Sequence, residues 1–259
     1  MVRKLVSELN YFDNLYYEVC NEPYERSGMI KEWNDGMVAT IVEAEANLSK
    51  KHLIAQNFPP SPILDINPNV SILNFHAATP EVARANYHLD RPLSFDETGG
   101  SDRSDRKYRT EGWDWIMSGG AGYDHLDFSF TTDRPDGSAA LPDGTPGGGG
   151  RELRKQLHVL KEFIESFDFV RMTPKDSLKA GQGTVRILAD EGKAYAAYIH
   201  GGAQAEFTLE LPAGEYKAEW VNTKTGALER ADMLRHQSGE RQFSSPAYVE
   251  DIALRVQRR

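Results

Sequence analysis

Two acidic residues stand where they could do chemistry. Glu22 follows a short apolar and aromatic run, Asn14 to Cys20, within the triplet Asn21-Glu22-Pro23. Glu97 ends a second run, Pro92 to Asp96, ahead of Thr98-Gly99-Gly100. A carboxyl at position 22, packed against Tyr16, Tyr17 or Trp33, would be desolvated and so harder to ionise, which suits a general acid near neutral pH. The glycines after Glu97 let a ligand come close to the backbone. Two carboxylates brought in on different strand ends are what cleavage of a glycosidic bond requires. One protonates the leaving oxygen and the other attacks the anomeric carbon. A separation of about 5–5.5 Å goes with retention of configuration, and about 6.5–9.5 Å with inversion.

The elements that must position these residues can be read from the periodicity. Val2, Leu5, Val6 and Leu9 share one helical face, so the chain opens inside a helix. A long amphipathic helix follows Pro23, with Ile30, Trp33, Met37, Ile41, Ala44 and Leu48 at spacings of three and four. Strands are expected at 52–58, 71–76 and 92–97, with Thr79-Pro80 opening a short helix between the last two. A helix over 105–118 and a fifth strand over 123–131 come next, then a Pro/Gly loop at 134–150 and a helix carrying Leu153, Leu157, Leu160 and Ile164. Strand alternating with helix gives an α/β domain with parallel strands. The polar residues lie at strand C-terminal ends, where a (β/α) barrel places its chemistry.

Past Met172-Thr173-Pro174 the pattern changes to short strands at 184–189, 194–200, 205–211, 215–221 and around 252–256, separated by Gly-containing turns. This spacing predicts a small antiparallel β-sandwich. The expected fold class is therefore α/β plus all-β: a partial barrel domain over 1–173 and a sandwich over 174–259.

Composition limits the alternatives. The formal net charge of −9 leaves no basic face for nucleic acid, and no run approaches the ~18 apolar residues of a membrane span. Cys20 is the single cysteine, which excludes an intrachain disulfide framework. The N-terminal residues lack the apolar core and cleavage site of a signal peptide.

The segment LYYEVCNEPY resembles the fourth strand of the clan A glycoside hydrolases, the cellulase-like TIM barrels, and PLSFDETGG resembles their seventh. ILNFHAATP is similar to the sixth strand and GYDHLDFSFT to the eighth. The tail resembles the collagen-binding-type sandwich that ends a group of bacterial cellulase-like proteins. The resemblance implies that Glu22 is the acid/base, Glu97 the nucleophile and Asn21 a partner of the sugar 2-hydroxyl. His76 is expected to contact the substrate or the nucleophile. Trp115 with Trp113 could stack on sugar, although helical spacing puts at least one of them in the core. Asp124 and His125 are candidate subsite contacts, and Asn57, Asp96 and Tyr24 stand behind them.

By the same resemblance about five of eight barrel strands are present. The first three, with the arginine that supports the nucleophile, are not, so the chain is expected to be an N-terminally truncated fragment. The implied function is a retaining glycoside hydrolase acting on a polysaccharide or oligosaccharide without cofactor or metal. Full-length relatives are expected to be secreted or periplasmic, and the sandwich to pack on the barrel. Two rivals remain. One is a non-catalytic carbohydrate-binding protein, and the other a metal-dependent hydrolase using His76, Asp96, Glu97 and His125.

Overall fold

The computed structural model describes residues 1–24, 29–145 and 147–259. Their contacts divide the chain into two compact units, Met1–Thr98 with Gly120–Tyr123, and Gly99–Gly119 with Asp124–Arg259.

The first unit holds α1 (Val2–Leu9), β1 (Tyr17–Glu18), α2 (Met29–Glu45), β2 (Ile54–Phe58), β3 (Ile72–His76), α3 (Pro80–Asn86) and β4 (Leu93–Glu97). In the second unit α4 spans Asp105–Ile116, and the first unit is completed by β5 (Gly122–Tyr123). Strands β1 to β5 form one parallel sheet in chain order. Burial explains why β2, β3 and β4 form: Ile54, Ala55, Phe58, Leu73, Phe75, Leu93 and Phe95 are all core residues. These apolar residues are interrupted by Asn57, Asn74 and Ser94 and, in β3 and β4, give way to polar residues at the C-terminal ends. Thr79 takes the extended conformation ahead of Pro80 at the first turn of α3, as expected, although its hydroxyl makes no capping bond.

Two strand expectations are corrected. The run 14–20 contributes only the two-residue β1, and the predicted strand over 123–131 shrinks to Gly122–Tyr123. Asp127 explains the second case. Its carboxylate accepts from the Ser129 N–H and hydroxyl, a local turn that competes with strand pairing. In α1 only Val6 is buried, and Leu5 of the same apolar face is exposed.

The second unit continues with α5 (Arg151–Glu165), β6 (Thr173–Pro174), β7 (Leu178–Ala180), β8 (Gly183–Asp190) and β9 (Ala194–His200). It ends with β10 (Glu206–Leu211), β11 (Gly214–Val221), β12 (Leu228–His236), β13 (Gly239–Ser244) and β14 (Asp251–Arg258). One antiparallel sheet runs in the order β12-β11-β14-β9-β8-β6, with β7 paired to β8, and β10 pairs with β13 in a second. Residues from both sheets, among them Val185, Ile199, Phe207, Trp220, Phe243 and Leu254, form one apolar cluster. Helix α4 is tied to these strands. Trp113 stacks on Tyr198 at 5.1 Å, and the buried Arg109 bridges Asp251 (2.9 Å) and Glu250 (2.6 Å). Among the described residues no helix is long and apolar enough to cross a membrane.

Candidate active site

The C-terminal ends of β1, β3 and β4 bring together the groups picked out in the sequence. After Glu18 the chain continues through Val19, whose N–H still donates to Ala55 O at 3.1 Å, and then turns sharply. Glu22 sits at φ 45°, and the Tyr24 N–H donates back to its carbonyl at 2.7 Å. Such a left-handed conformation costs a non-glycine residue roughly 1–3 kcal/mol, so the surrounding structure must impose it. At the end of β3 the register shifts between Phe75 and His76, pairing His76 with Glu97, and Ala77 follows at φ 48°. The Ala77 N–H donates to Glu97 O at 3.0 Å, which pins the two strand ends together.

His76 is the centre of the cluster. Its ring is buried, with Nδ1 at 2.9 Å from Glu22 Oε1 and 3.5 Å from Glu97 Oε2, and Nε2 at 3.6 Å from Asp96 Oδ1. One ligating atom from each of Glu22, His76 and Glu97 lies within 4.8 Å of the other two. The carboxylates are more open than the imidazole: side-chain exposure is 48 % for Glu22, 37 % for Glu97 and 7 % for His76. The expected burial of Glu22 against Tyr16, Tyr17 or Trp33 is therefore not found, and Tyr16 and Trp33 are themselves exposed.

The desolvated acid is the neighbour, Asp96. Burial, reinforced by the negative charge of Glu18, pushes its carboxyl up to about 6. Tyr24 is pushed up to about 12, by burial first and the Glu22 charge second, and its hydroxyl donates to Asn57 Oδ1. A phenol in that state remains a hydrogen-bond donor at any working pH. Below the cluster, Asn57, Asn74 and Ser94 pair across β2, β3 and β4. Partners in parallel register face the same side, so these residues form a polar row in an otherwise apolar sheet. Asn74 is fully buried and, among the described residues, neither amide atom has a hydrogen-bond partner; Asn57 Nδ2 is likewise unpaired.

The structure thus brings Glu22, Glu97 and His76 together, with Asp96, Tyr24 and Asn57, the lesser candidates, in the same cluster. Asn21 is exposed beside Glu22. Trp113 and Trp115 are both core residues; at 1 % exposure Trp115 offers no face on which a sugar could stack. Asp124 and His125 belong to the second compact unit. There Asp124 is exposed, whereas the His125 ring is buried 4.9 Å from that of Tyr108, and burial holds its pKa below the ordinary histidine value. Sequence reading passed over Glu18 and Asn74. A charged residue in the two-residue β1 gives no periodicity to read, but Asn74 is marked by standing alone among Ile72, Leu73 and Phe75 in a buried strand.

The second unit also opens a cleft of about 460 Å³ lined by Leu178, Ile187, Tyr195, Leu209 and Leu211. It has an apolar floor, and Glu191 at its rim is held by Lys175.

By sequence the chain matches no family model and no curated protein. By structure its fold is one found among glycoside hydrolases. It is similar to a chain described as a glycoside hydrolase, with a TM-score of 0.74 and 12 % identity, covering 99 % of this chain and 67 % of that one. A glycoside hydrolase family 5 protein from Bacteroides vulgatus gives 0.70 at 13 % identity, covering 99 % and 65 %. A GH30 endoxylanase from Clostridium papyrosolvens gives 0.58 at 14 % identity, covering 100 % and 71 %. The chain spans about two thirds of the length of these neighbours, and at such identities the likeness is one of fold.

Proposed function

We propose that this protein is a retaining glycoside hydrolase acting on a polysaccharide or oligosaccharide, with Glu22 as acid/base and Glu97 as nucleophile. The observation that carries the reading is the pairing itself. Two glutamates from different strand ends have carboxylate oxygens within 4.8 Å of each other, bridged by one buried imidazole. Oxygens that approach this closely support the short carboxyl–carboxyl separation, ~5–5.5 Å, of double displacement.

In the first step Glu97 attacks the anomeric carbon while Glu22 passes its proton to the departing oxygen, leaving a glycosyl ester on Glu97. In the second, Glu22 takes a proton from water, and the resulting hydroxide equivalent displaces Glu97 with a second inversion. His76 Nδ1 reaches both carboxylates, so it can hold Glu22 in place while proton ownership changes. Asn21 is assigned to the 2-hydroxyl of the bound sugar. On this reading residues 1–173 correspond to part of a TIM-barrel glycosidase and residues 174–259 to a β-sandwich appended to it.

The test is hydrolysis of aryl glycosides by the intact chain and by Glu22→Gln and Glu97→Ala variants. General acid–base assistance is worth about 10²–10⁴-fold, and each variant should lose at least that. A 2-deoxy-2-fluoro glycoside should label Glu97 covalently. Variants as active as the parent sink the paired-carboxylate reading. Sugar binding without turnover in any protein favours a carbohydrate-binding protein.

A further inference from the structure

Glu22, His76 and Glu97 are also a donor set. We infer that the sugar-free cluster binds one divalent transition-metal ion, with Zn²⁺ as its probe, through Glu22 Oε1, His76 Nδ1 and Glu97 Oε2. Metal and sugar chemistry then exclude each other, because the ion occupies both carboxylates. This second half of the inference rests on the glycosidase reading; the binding half does not.

Three observations carry it. The first is spacing. Tetrahedral ligands bound at ~2.0–2.1 Å lie about 3.3 Å apart. Glu22 Oε1 and Glu97 Oε2 already stand 2.9 and 3.5 Å from His76 Nδ1. The two carboxylates, within 4.8 Å of each other, are the exposed and therefore adjustable members, whereas the imidazole is fixed by burial. The fourth tetrahedral position stays open.

The second is the group behind the imidazole. Metal-bound histidines almost always present their other ring nitrogen to a carboxylate or carbonyl, which fixes the tautomer and raises ligand basicity. Asp96 Oδ1 lies 3.6 Å from His76 Nε2 and, among the described residues, has no hydrogen-bond partner. A proton on Nε2 facing Asp96 leaves the Nδ1 lone pair free for an ion held between it and the two glutamates.

The third is charge. Glu22, Asp96 and Glu97 crowd around one imidazole. His76 is the only basic group within ion-pair reach of these three carboxylates among the described residues. Negative charge in excess of its counter-charge favours a dication. One imidazole with carboxylate oxygens and no thiolate points to Zn²⁺, Co²⁺ or Mn²⁺. Cys20, the only thiol, donates to Asn21 O and takes no part.

The experiment is calorimetric titration of untagged, chelator-treated full-length protein with Zn²⁺, and with Co²⁺ followed by its visible absorption. One equivalent should bind with a tetrahedral cobalt spectrum. His76→Ala, Glu22→Gln and Glu97→Gln, each shown to be folded by circular dichroism, should bind at least tenfold more weakly. Asp96→Asn should lose about 10–100-fold, the usual effect of removing the group behind a ligand. Absence of one-equivalent binding, or binding unchanged in the His76 and Glu22 variants, overturns the inference.

Activity separates this result from the glycosidase reading. Zn²⁺ should inhibit aryl glycoside hydrolysis, with reversal by EDTA. Hydrolysis that proceeds unchanged with zinc bound overturns the exclusion. Hydrolysis that requires zinc keeps the site and removes the double-displacement mechanism. Where no hydrolysis is found in either state, the titrations alone decide.

Discussion

Asn74 shows at the level of a single residue what the cluster costs the fold. Its amide is fully buried with neither atom hydrogen-bonded among the described residues, between Leu73 and Phe75 in the strand. An unpaired buried polar group costs roughly 1–3 kcal/mol. Replacing it with a side chain of similar size and no polar atoms removes that cost, so Asn74→Leu should stabilise the protein by about that amount in urea denaturation. A destabilised variant would mean the amide is satisfied by something it holds. Glu22 and Ala77, with their left-handed backbones at the two strand ends beside His76, follow the same pattern. Local conformational rules are broken where the polar groups meet, as expected where function and stability pull in different directions.

At the scale of elements, the junction of α1, α2 and β2 is held by His52. Its Nδ1 lies 2.5 Å from Glu45 Oε1 and its Nε2 2.7 Å from Phe12 O, while the His52 N–H donates to Glu45 Oε2 at 2.9 Å. The Glu45 hydrogen bond, followed by that to Phe12 O, raises the His52 pKa above the ordinary histidine value of 6.5. The folded protein therefore holds this proton more tightly than the unfolded chain does. The contribution is complete below about pH 6.5 and is lost as pH rises through the raised value. Urea midpoints should fall between pH 6 and 8.5, and His52→Gln should flatten that fall. An equal slope in the variant would assign it to other groups.

Which elements were legible in the sequence follows from their burial. Strands β2, β3, β4, β8, β9, β10, β11 and β14 and helices α4 and α5 announce themselves because their apolar residues recur at the period of the element that buries them. Strands β12 and β13 were not anticipated. In β12 the side chains of Leu228 to His236 are exposed or half-exposed and mostly polar, so no alternation survives. Only Phe243 of β13 is buried. The 123–131 error has the opposite cause: Tyr123, Leu126, Phe128 and Phe130 look like a strand, but the Asp127–Ser129 turn diverts the chain. The candidate site was legible as residue types at strand ends. It was not legible as geometry, since the pairing of Glu22 with His76 spans 54 residues and the burial expected at Glu22 fell on Asp96.

For the whole molecule, the composition shift near 173–180 and the grouping of contacts give different answers to where a folding unit begins. Helices α4 and α5 precede the shift but group with the C-terminal strands. The reason is the buried charge of Asp251. Its Oδ2 accepts from Arg109 Nε (2.9 Å) and the Tyr198 hydroxyl (2.8 Å), and its Oδ1 from the Thr223 hydroxyl (2.6 Å). Arg109 comes from α4 and is held on its other side by Gln156 of α5 at 2.5 Å. Asp114 of α4 adds a 2.5 Å pair to Arg186 of β8. Removing one partner of a buried ion pair costs about 3–5 kcal/mol, because the other charge is left without compensation. Arg109→Met in the full chain should therefore destabilise the second unit by that order, and Arg109→Met with Asp251→Asn should recover much of the loss. A fragment beginning at residue 174 loses Arg109, Asp114, Gln156 and the Trp113 ring stacked on Tyr198 together. It should melt well below a fragment beginning at residue 99, followed by circular dichroism at equal concentration. If the two melt alike, α4 and α5 rest on the strands without supporting them, and the folding unit begins where the composition changes.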